Sequence, residues 1–477
     1  MSYIRGADRS EVLLFPEALD DYIAEDNPVR FIDAFVSSLD LAELGFARTT
    51  PVHPGRPAYD PADLLKLYIY GYLNRLRSSR MLEREAGRNV EVMWLLSKLA
   101  PDFKTIADFR KDNLSAIKAV CRQFTLLCKR LDLFGGELVA IDGSKFRAVN
   151  SRKRNFNRER LSRLIQQIDE QVAAYLVEVE RQDETEPVVV KPTASELCAK
   201  IEHLTERQQR YHDLMTGLQQ RGAQEISLTD PDSRLMVVGQ QRLDVCYNVQ
   251  TAVDSKHKLI VHHEVTNLSD DHEHLVPMAV AAKQTLGVET VEVVADKGYY
   301  SGEEVKKCED QGIATYIPKP HVSPKLKKEL FTKDDFRYDS ATDTYTCPEG
   351  AQLTHRFTTG ERKGTMQRYY RTTACKSCAV RSRCTENNRG RTIKRLIDEA
   401  VLERMAERLR GSPEKMKLRG QLVEHPFGTM KRGMNQGYFL MRGLAKVRTE
   451  ISLTVLSYNI KRVLNILGVR QMIEAVA

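Results

Sequence analysis

A chain of 477 residues with 42% hydrophobic content is too long for one simple core, and roughly two to four domains or large insertions are expected. No stretch reaches the roughly 18 consecutive apolar residues of a helical membrane span, which excludes an integral helical membrane protein. The formal charge of +8 suits a polyanion partner, and nine cysteines without secretory features suit a reducing compartment.

Residues 1–30 carry Asp8, Glu11, Glu17, Asp20, Asp21, Glu25 and Asp26, unlike a signal peptide, so a cytoplasmic, nucleoid-associated protein is expected. From about Asp60 to Leu131 the apolar spacing is helical, with turn signals at Gly87, Asn89, Pro101 and Thr105. Three short helices in series suggest a helix-turn-helix whose third member opens at Thr105, with Asp108 as its capping partner, and carries Arg110 and Lys111 toward DNA. Arg80, Arg84 and Arg88 share one face of an earlier helix. A charged exterior on plainly packed helices explains the same residues equally well.

The run Leu138-Val139-Ala140-Ile141 reads as a buried strand ending at Asp142, followed by Gly143. Between Lys145 and Arg163 stand eight Lys or Arg (Lys145, Arg147, Arg152, Lys153, Arg154, Arg158, Arg160 and Arg163) against the single acid Glu159. Such a run is usually a solvated surface, but directly after Asp142 it reads as a nucleic-acid contact. Leu161, Ile165, Ile168, Val172, Tyr175 and Val179, then Leu197, Ile201, Leu204, Gln208, Tyr211, Met215 and Leu218, step by threes and fours on either side of a break at Pro187 to Pro192. This spacing predicts a coiled-coil hairpin over 150–225, its second arm capped by Thr193 and Glu196.

Strands are expected at Val245 to Asp254 and at Leu259 to Thr266, then a helix from about Asp271 to Leu286. A strand over Val291 to Ala295 ends at Asp296 with Gly298 beyond it; a helix opened by Ser301 and Glu304 and a strand from Ile313 to Ile317 follow. Glu424 lies in a late helical stretch. This element order is that of an RNase H-like mixed α/β core, with the first acid on the first strand, the second after the fourth and the third on a late helix. The expected domains are an all-helical DNA-binding domain at 1–131, the core at 132–318 and 396–477, the hairpin insertion, and a zinc-ribbon-like Cys-rich insertion at 319–395. Two unit charges about 4 Å apart repel by roughly 4 kcal/mol at an effective dielectric near 20, so clustered carboxylates should take up a proton or bind a cation.

Cys347, Cys375, Cys378 and Cys384 gather in a polar segment whose Cys-x2-Cys pair suits a structural, tetrahedral Zn²⁺. The short strands between them lack the apolar content to fold strongly alone, so zinc is expected to supply stability there. Four unconnected thiols is the alternative, because the second pair is Cys378-x5-Cys384. Cys121, Cys128, Cys198, Cys246 and Cys308 read as packing residues. His262 and His263, consecutive on a strand, and His425 beside Glu424 are left outside the site.

Four strings carry a resemblance: 140–145 (Ala-Ile-Asp-Gly-Ser-Lys), 247–254 (Tyr-Asn-Val-Gln-Thr-Ala-Val-Asp), 295–299 (Ala-Asp-Lys-Gly-Tyr) and 423–432 (Val-Glu-His-Pro-Phe-Gly-Thr-Met-Lys-Arg). The chain resembles DDE transposases of bacterial insertion sequences, in the branch with a Tyr-Arg-Glu-Lys signature and the subgroup with a Cys-rich insertion. The resemblance implies that Asp142, Asp296 and Glu424 are a catalytic triad and Lys431 the signature lysine. Lys417 and Gly420 stand where the signature has tyrosine and arginine, and Arg419, one residue off, is the substitute arginine. Two Mg²⁺ ions, with Mn²⁺ as a substitute, would bridge the carboxylates and the scissile phosphate of double-stranded DNA. Glu424 and Lys431, seven residues apart, are expected on one helical face, the lysine toward a phosphate of the element's terminal repeat. Paired cutting of two ends implies a homodimer on DNA. A DNA-binding repressor or inactive remnant, and a purely hydrolytic nuclease, are the rival readings.

Overall fold

The computed structural model describes residues 18–50, 58–183, 192–239, 242–320, 330–360 and 366–477. Asp8, Glu11, Glu17 and residues 187–191 of the expected break lie outside the described residues.

The amino-terminal part is helical: α1 (Pro28–Ser37), α2 (Pro61–Leu73), α3 (Ser79–Ala86), α4 (Val90–Leu95), α5 (Phe103–Asp112) and α6 (Leu114–Arg130). Asn27, Asp60, Asn89 and Asp102 cap α1, α2, α4 and α5 by accepting from otherwise free backbone N–H groups. The expected three helices from Asp60 onward are therefore five. Asp102, not Thr105, caps α5, because its carboxylate accepts from both Lys104 N and Thr105 N and also takes the Thr105 hydroxyl at 2.7 Å.

The central sheet contains β1 (Leu138–Arg147), β4 (Arg234–Val238), β5 (Arg242–Asp254), β6 (Ile260–Thr266), β7 (Val291–Val294) and β8 (Ile313–Tyr316). β5 pairs antiparallel with β1 on one side, and with β4 and then β6 along the other; β7 lies parallel to β1 on its far side and β8 parallel to β7. Helix α9 (Leu275–Leu286) and α10 (Gly302–Glu309) separate the later strands. The first is stopped by Gly287 in the left-handed conformation, φ 68°.

Between β1 and β5 the chain makes β2 (Asn155–Asn157), α7 (Arg158–Asp183), α8 (Ala194–Gln220) and β3 (Glu225–Ser227). The two long helices pack on each other around Leu161, Ile168, Tyr211 and Leu218, and the Thr193–Glu196 capping box forms. After β8 come β9 (Arg337–Asp339), β10 (Thr344–Thr346), β11 (Gln352–Gly360), β12 (Met366–Arg371) and β13 (Ile393–Leu396), one antiparallel sheet in the order β13-β12-β11-β10-β9. Contrary to the expectation of a weak core, Phe336, Tyr345, Leu353, Tyr370 and Ile393 are buried together, with Tyr338 against Tyr345 at 4.9 Å between ring centres.

The chain closes with α11 (Glu399–Gly411), α12 (Glu414–Gly428), a π-helical turn over Thr429–Gly433, α13 (Leu444–Leu467) and α14 (Val469–Glu474). Helix α13 packs on α2, α6 and β6, so a single apolar core runs from the amino-terminal helices into the sheet. A buried ion pair spans that joint: Arg77 meets Glu450 at 3.0 Å with side chains 3% and 0% exposed. Among the described residues no helix is long and apolar enough to cross a membrane.

Candidate active site

The register of two parallel strands brings the first two acids together. Ala140 on β1 pairs with Val294 on β7, the last pair of that ladder. Asp142 and Asp296 each lie two residues further, at equivalent points of strands that run roughly 4.8 Å apart. β1 does not end at Asp142 as expected; it runs on to Arg147 because β5 continues to pair with it after β7 has stopped. Asp296 instead caps a 3₁₀ turn, its Oδ1 accepting from Gly298 N at 2.8 Å.

Alternation along β1 assigns the faces. Leu138 and Ala140 pack with Leu422 and Val423 of α12, whereas Val139 and Ile141 enter the core on the other side. Asp142 and Ser144 therefore face α12, and Gly143 and Lys145 face away from it. Arg419 of α12 reaches Asp142 Oδ1 at 3.1 Å, and Gly143 N donates to the same atom at 2.9 Å. Burial nevertheless pushes the Asp142 carboxyl up to about 6, assisted by the charges of Asp296 and Asp271 and opposed by Arg419.

Lys431 lies on this side too. Its Nζ donates to Ser144 Oγ at 2.6 Å and sits 4.6 Å from the centre of the Phe146 ring; burial holds its pKa down, against the pull of Cys246 and Asp142. Glu424 is exposed and, among the described residues, has no hydrogen-bond or ion-pair partner; its Oε1 lies 3.8 Å from where a side chain on Gly420 would start. A π turn follows Gly428, and Lys431 within it reaches Ser144 of β1. Among the described residues no group of three or more His, Cys, Asp or Glu is arranged to hold a metal ion.

The basic residues divide. Arg110, expected on DNA, is buried, its Nη1 donating to Tyr72 OH at 3.1 Å and its guanidinium 5.3 Å from the Tyr68 ring centre; Lys111 beside it is exposed. Lys145 is tied to Asp271 at 3.5 Å and Arg160 donates to the carbonyls of Arg152 and Asn155, whereas Arg152, Lys153 and Arg154 are exposed. Arg152, Lys153, Arg163 and Arg242 line an open groove of about 940 Å³ at the base of the hairpin. Cys347, Cys375, Cys378 and Cys384 line one small cavity, and burial and the other three thiols push Cys384 up to about 11. Cys198 is exposed rather than packed, unlike Cys121, Cys128, Cys246 and Cys308. His425 meets Tyr458 OH at 3.0 Å and His263 meets Ser452 Oγ at 2.9 Å, both away from the acids.

Sequence reasoning missed Asp271, which precedes α9 and is not in it. Asn248 and Gln250 donate to its Oδ1 at 2.8 and 2.7 Å, and Tyr299, held protonated by burial, donates to Gln250 Oε1. The polar alternation of Asn248 and Gln250 within an otherwise buried strand was the available signal.

Residues 17–112 match the family model described as a transposase domain (DUF772), and residues 346–464 match that of a transposase DDE domain. No curated protein matches the chain. No solved structure matches it either. The second match includes Glu424 and Lys431 and the first covers α1 to α5. Together the two matches support a DDE transposase of an insertion sequence.

Proposed function

We propose that this transposase binds the terminal repeats of its element and cuts and joins DNA with divalent cations held by Asp142, Asp296 and Glu424 on an RNase H-like core. The strand order β6-β5-β1-β7-β8, antiparallel in its first half and parallel in its second, supports that core. The observation that carries the chemistry is the equivalent register of Asp142 and Asp296, two carboxylates driven together without enough positive charge.

The donor set fits a hard divalent ion: carboxylate oxygens whose mutual repulsion a cation relieves. Once bound, Mg²⁺ or Mn²⁺ supplies Lewis-acid activation of water or a 3′-hydroxyl and neutralises charge on the leaving oxygen. In the conformation described here the Arg419 guanidinium is the cation beside Asp142, and Glu424, five residues along α12, stands free to join the aspartates as Arg419 withdraws to a DNA phosphate. Lys431, held by Ser144 beside Asp142, faces the same space and suits a second phosphate. Lys111, Arg152, Lys153 and Arg154 are the exposed cations for the flanking duplex, with Arg110 and Lys145 acting structurally. Cys347, Cys375, Cys378 and Cys384 are the proposed Zn²⁺ ligands, drawing together around the cavity they line. A homodimer assembled on DNA would serve two ends at once.

The test is a supercoiled plasmid carrying the sequences that flank the gene, incubated with purified protein and Mg²⁺. Nicked and joined products support the proposal; binding without cleavage supports a repressor, and cleavage without joining a nuclease.

A further inference from the structure

Behind the two aspartates, on the face of β1 opposite to Asp142, lies a polar cluster in a place where the sheet should be apolar. A side chain on Gly143 would collide with the Gln250 amide, lie 2.7 Å from Asp271 Oδ1 and 3.0 Å from Asn248 Oδ1. Only glycine leaves room there. Asp271 Oδ1 receives Asn248, Gln250 and, at 3.5 Å, Lys145. Its Oδ2 comes within 3.7 Å of the point where a side chain on Gly298 would start, and Asp296 Oδ1 within 2.9 Å of that point. Gln250, Asn248 and Tyr299 are all fully buried, and Asn248 Oδ1 has no hydrogen-bond partner.

An orphan amide oxygen next to a cleft is costly unless it serves the site. The connections run in one direction. Asp271 fixes the Gln250 amide; Gln250 Oε1 takes the Tyr299 hydroxyl; and Tyr299 ends the 3₁₀ turn that Asp296 caps. On the other side the same carboxylate holds Lys145, three residues beyond Asp142 on β1.

We infer that Asp271 is a positioning residue of the active site, a fourth carboxylate that through Gln250 and Tyr299 fixes the Asp296 turn against β1. Asp271 does not share the α12 side with Asp142, so its role is to orient the pair rather than to join it. This inference rests on the proposed cleavage chemistry.

Asp271→Asn, Tyr299→Phe and the double variant are compared with the unaltered protein in plasmid cleavage at a series of Mg²⁺ concentrations, with thermal melting and DNA binding as controls. The expected result is a loss of roughly tenfold to a hundredfold in cleavage rate for Asp271→Asn, a raised half-saturating Mg²⁺ concentration and unaltered DNA affinity. The double variant should lose little more than the worse single one, because both act through the same chain of contacts. Multiplicative losses, or losses that follow the melting temperature with an unmoved Mg²⁺ dependence, would overturn the inference. Cleavage as fast as in the unaltered protein would overturn it as well, while leaving the proposed function standing; absence of cleavage by the unaltered protein would instead overturn that function.

Discussion

Two carboxylates in this molecule, one buried and one half-buried, are treated in opposite ways. Glu450, at the joint between the amino-terminal helices and the core, receives Arg77 and the backbone N–H groups of Leu440 and Met441, with Gln436 donating at 3.3 Å. Asp142, in the middle of the sheet, has one guanidinium and its neighbour's N–H, faces a second aspartate, and keeps its proton up to about pH 6. The first carboxylate is well partnered, although Arg77 Nε and Nη2 have no hydrogen-bond partner among the described residues, and it fixes how two parts of the chain meet. The second leaves negative charge uncompensated, which a structural role would not require and cation binding would.

Breaking the Arg77–Glu450 pair should have the largest effect on stability. Arg77→Ala leaves Glu450 buried without its guanidinium and should cost about 3–5 kcal/mol in denaturant titration. Cleavage per folded molecule should be unchanged, since Arg77 touches neither aspartate. A cost below about 1 kcal/mol would mean that the two carboxylates differ less than their surroundings suggest.

Relieving the unfinished site should act with the opposite sign. Asp142 is raised in the folded state, from 3.8 to about 6, so the fold holds that proton more tightly than the unfolded chain does. Stability from this group is intact below about pH 4, falls as pH rises toward 6, and stays lowered above that. In chelator at pH 7, Asp142→Asn should therefore stabilise the protein by about 1–3 kcal/mol, the upper end being reduced by the loss of the Arg419 pair. The gain should vanish near pH 4, and Mg²⁺ should stabilise the unaltered protein but not the variant. Equal stability at both pH values would contradict the strained carboxylate.

The β9–β13 sheet and its cysteines lie between these extremes, with an aromatic core of their own and four thiols around one cavity. About one zinc per chain is expected by elemental analysis, and Cys375→Ser with Cys378→Ser should remove it and lower the melting temperature by about 2–4 °C. The smallest effect concerns the surface. Lys153→Ala should flatten the salt dependence of DNA binding by about one unit of slope, while Arg110→Ala should leave that slope alone and lower stability.

Much of this was legible before any coordinates. The apolar runs ending at Asp142 and Asp296 named the strands, and the parallel register that joins them follows from a strand, crossover and strand order. The hairpin was visible in its three-and-four spacing and its Thr193–Glu196 cap. What periodicity could not show was contact between distant segments. Arg110 looks like a surface cation until Tyr68 and Tyr72 of α2 close over it. Asp271 looks like the start of a helix until Asn248 and Gln250 turn toward it. In both cases the deciding partner lies on another element.

The central claim is most directly measured by Mg²⁺-dependent strand cleavage of plasmid carrying the gene's flanking sequences, comparing the unaltered protein with Asp142→Asn, Asp296→Asn and Glu424→Gln. All three variants should lose at least about a thousandfold in rate while keeping salt-sensitive DNA binding. Full activity in any one of them would contradict the account.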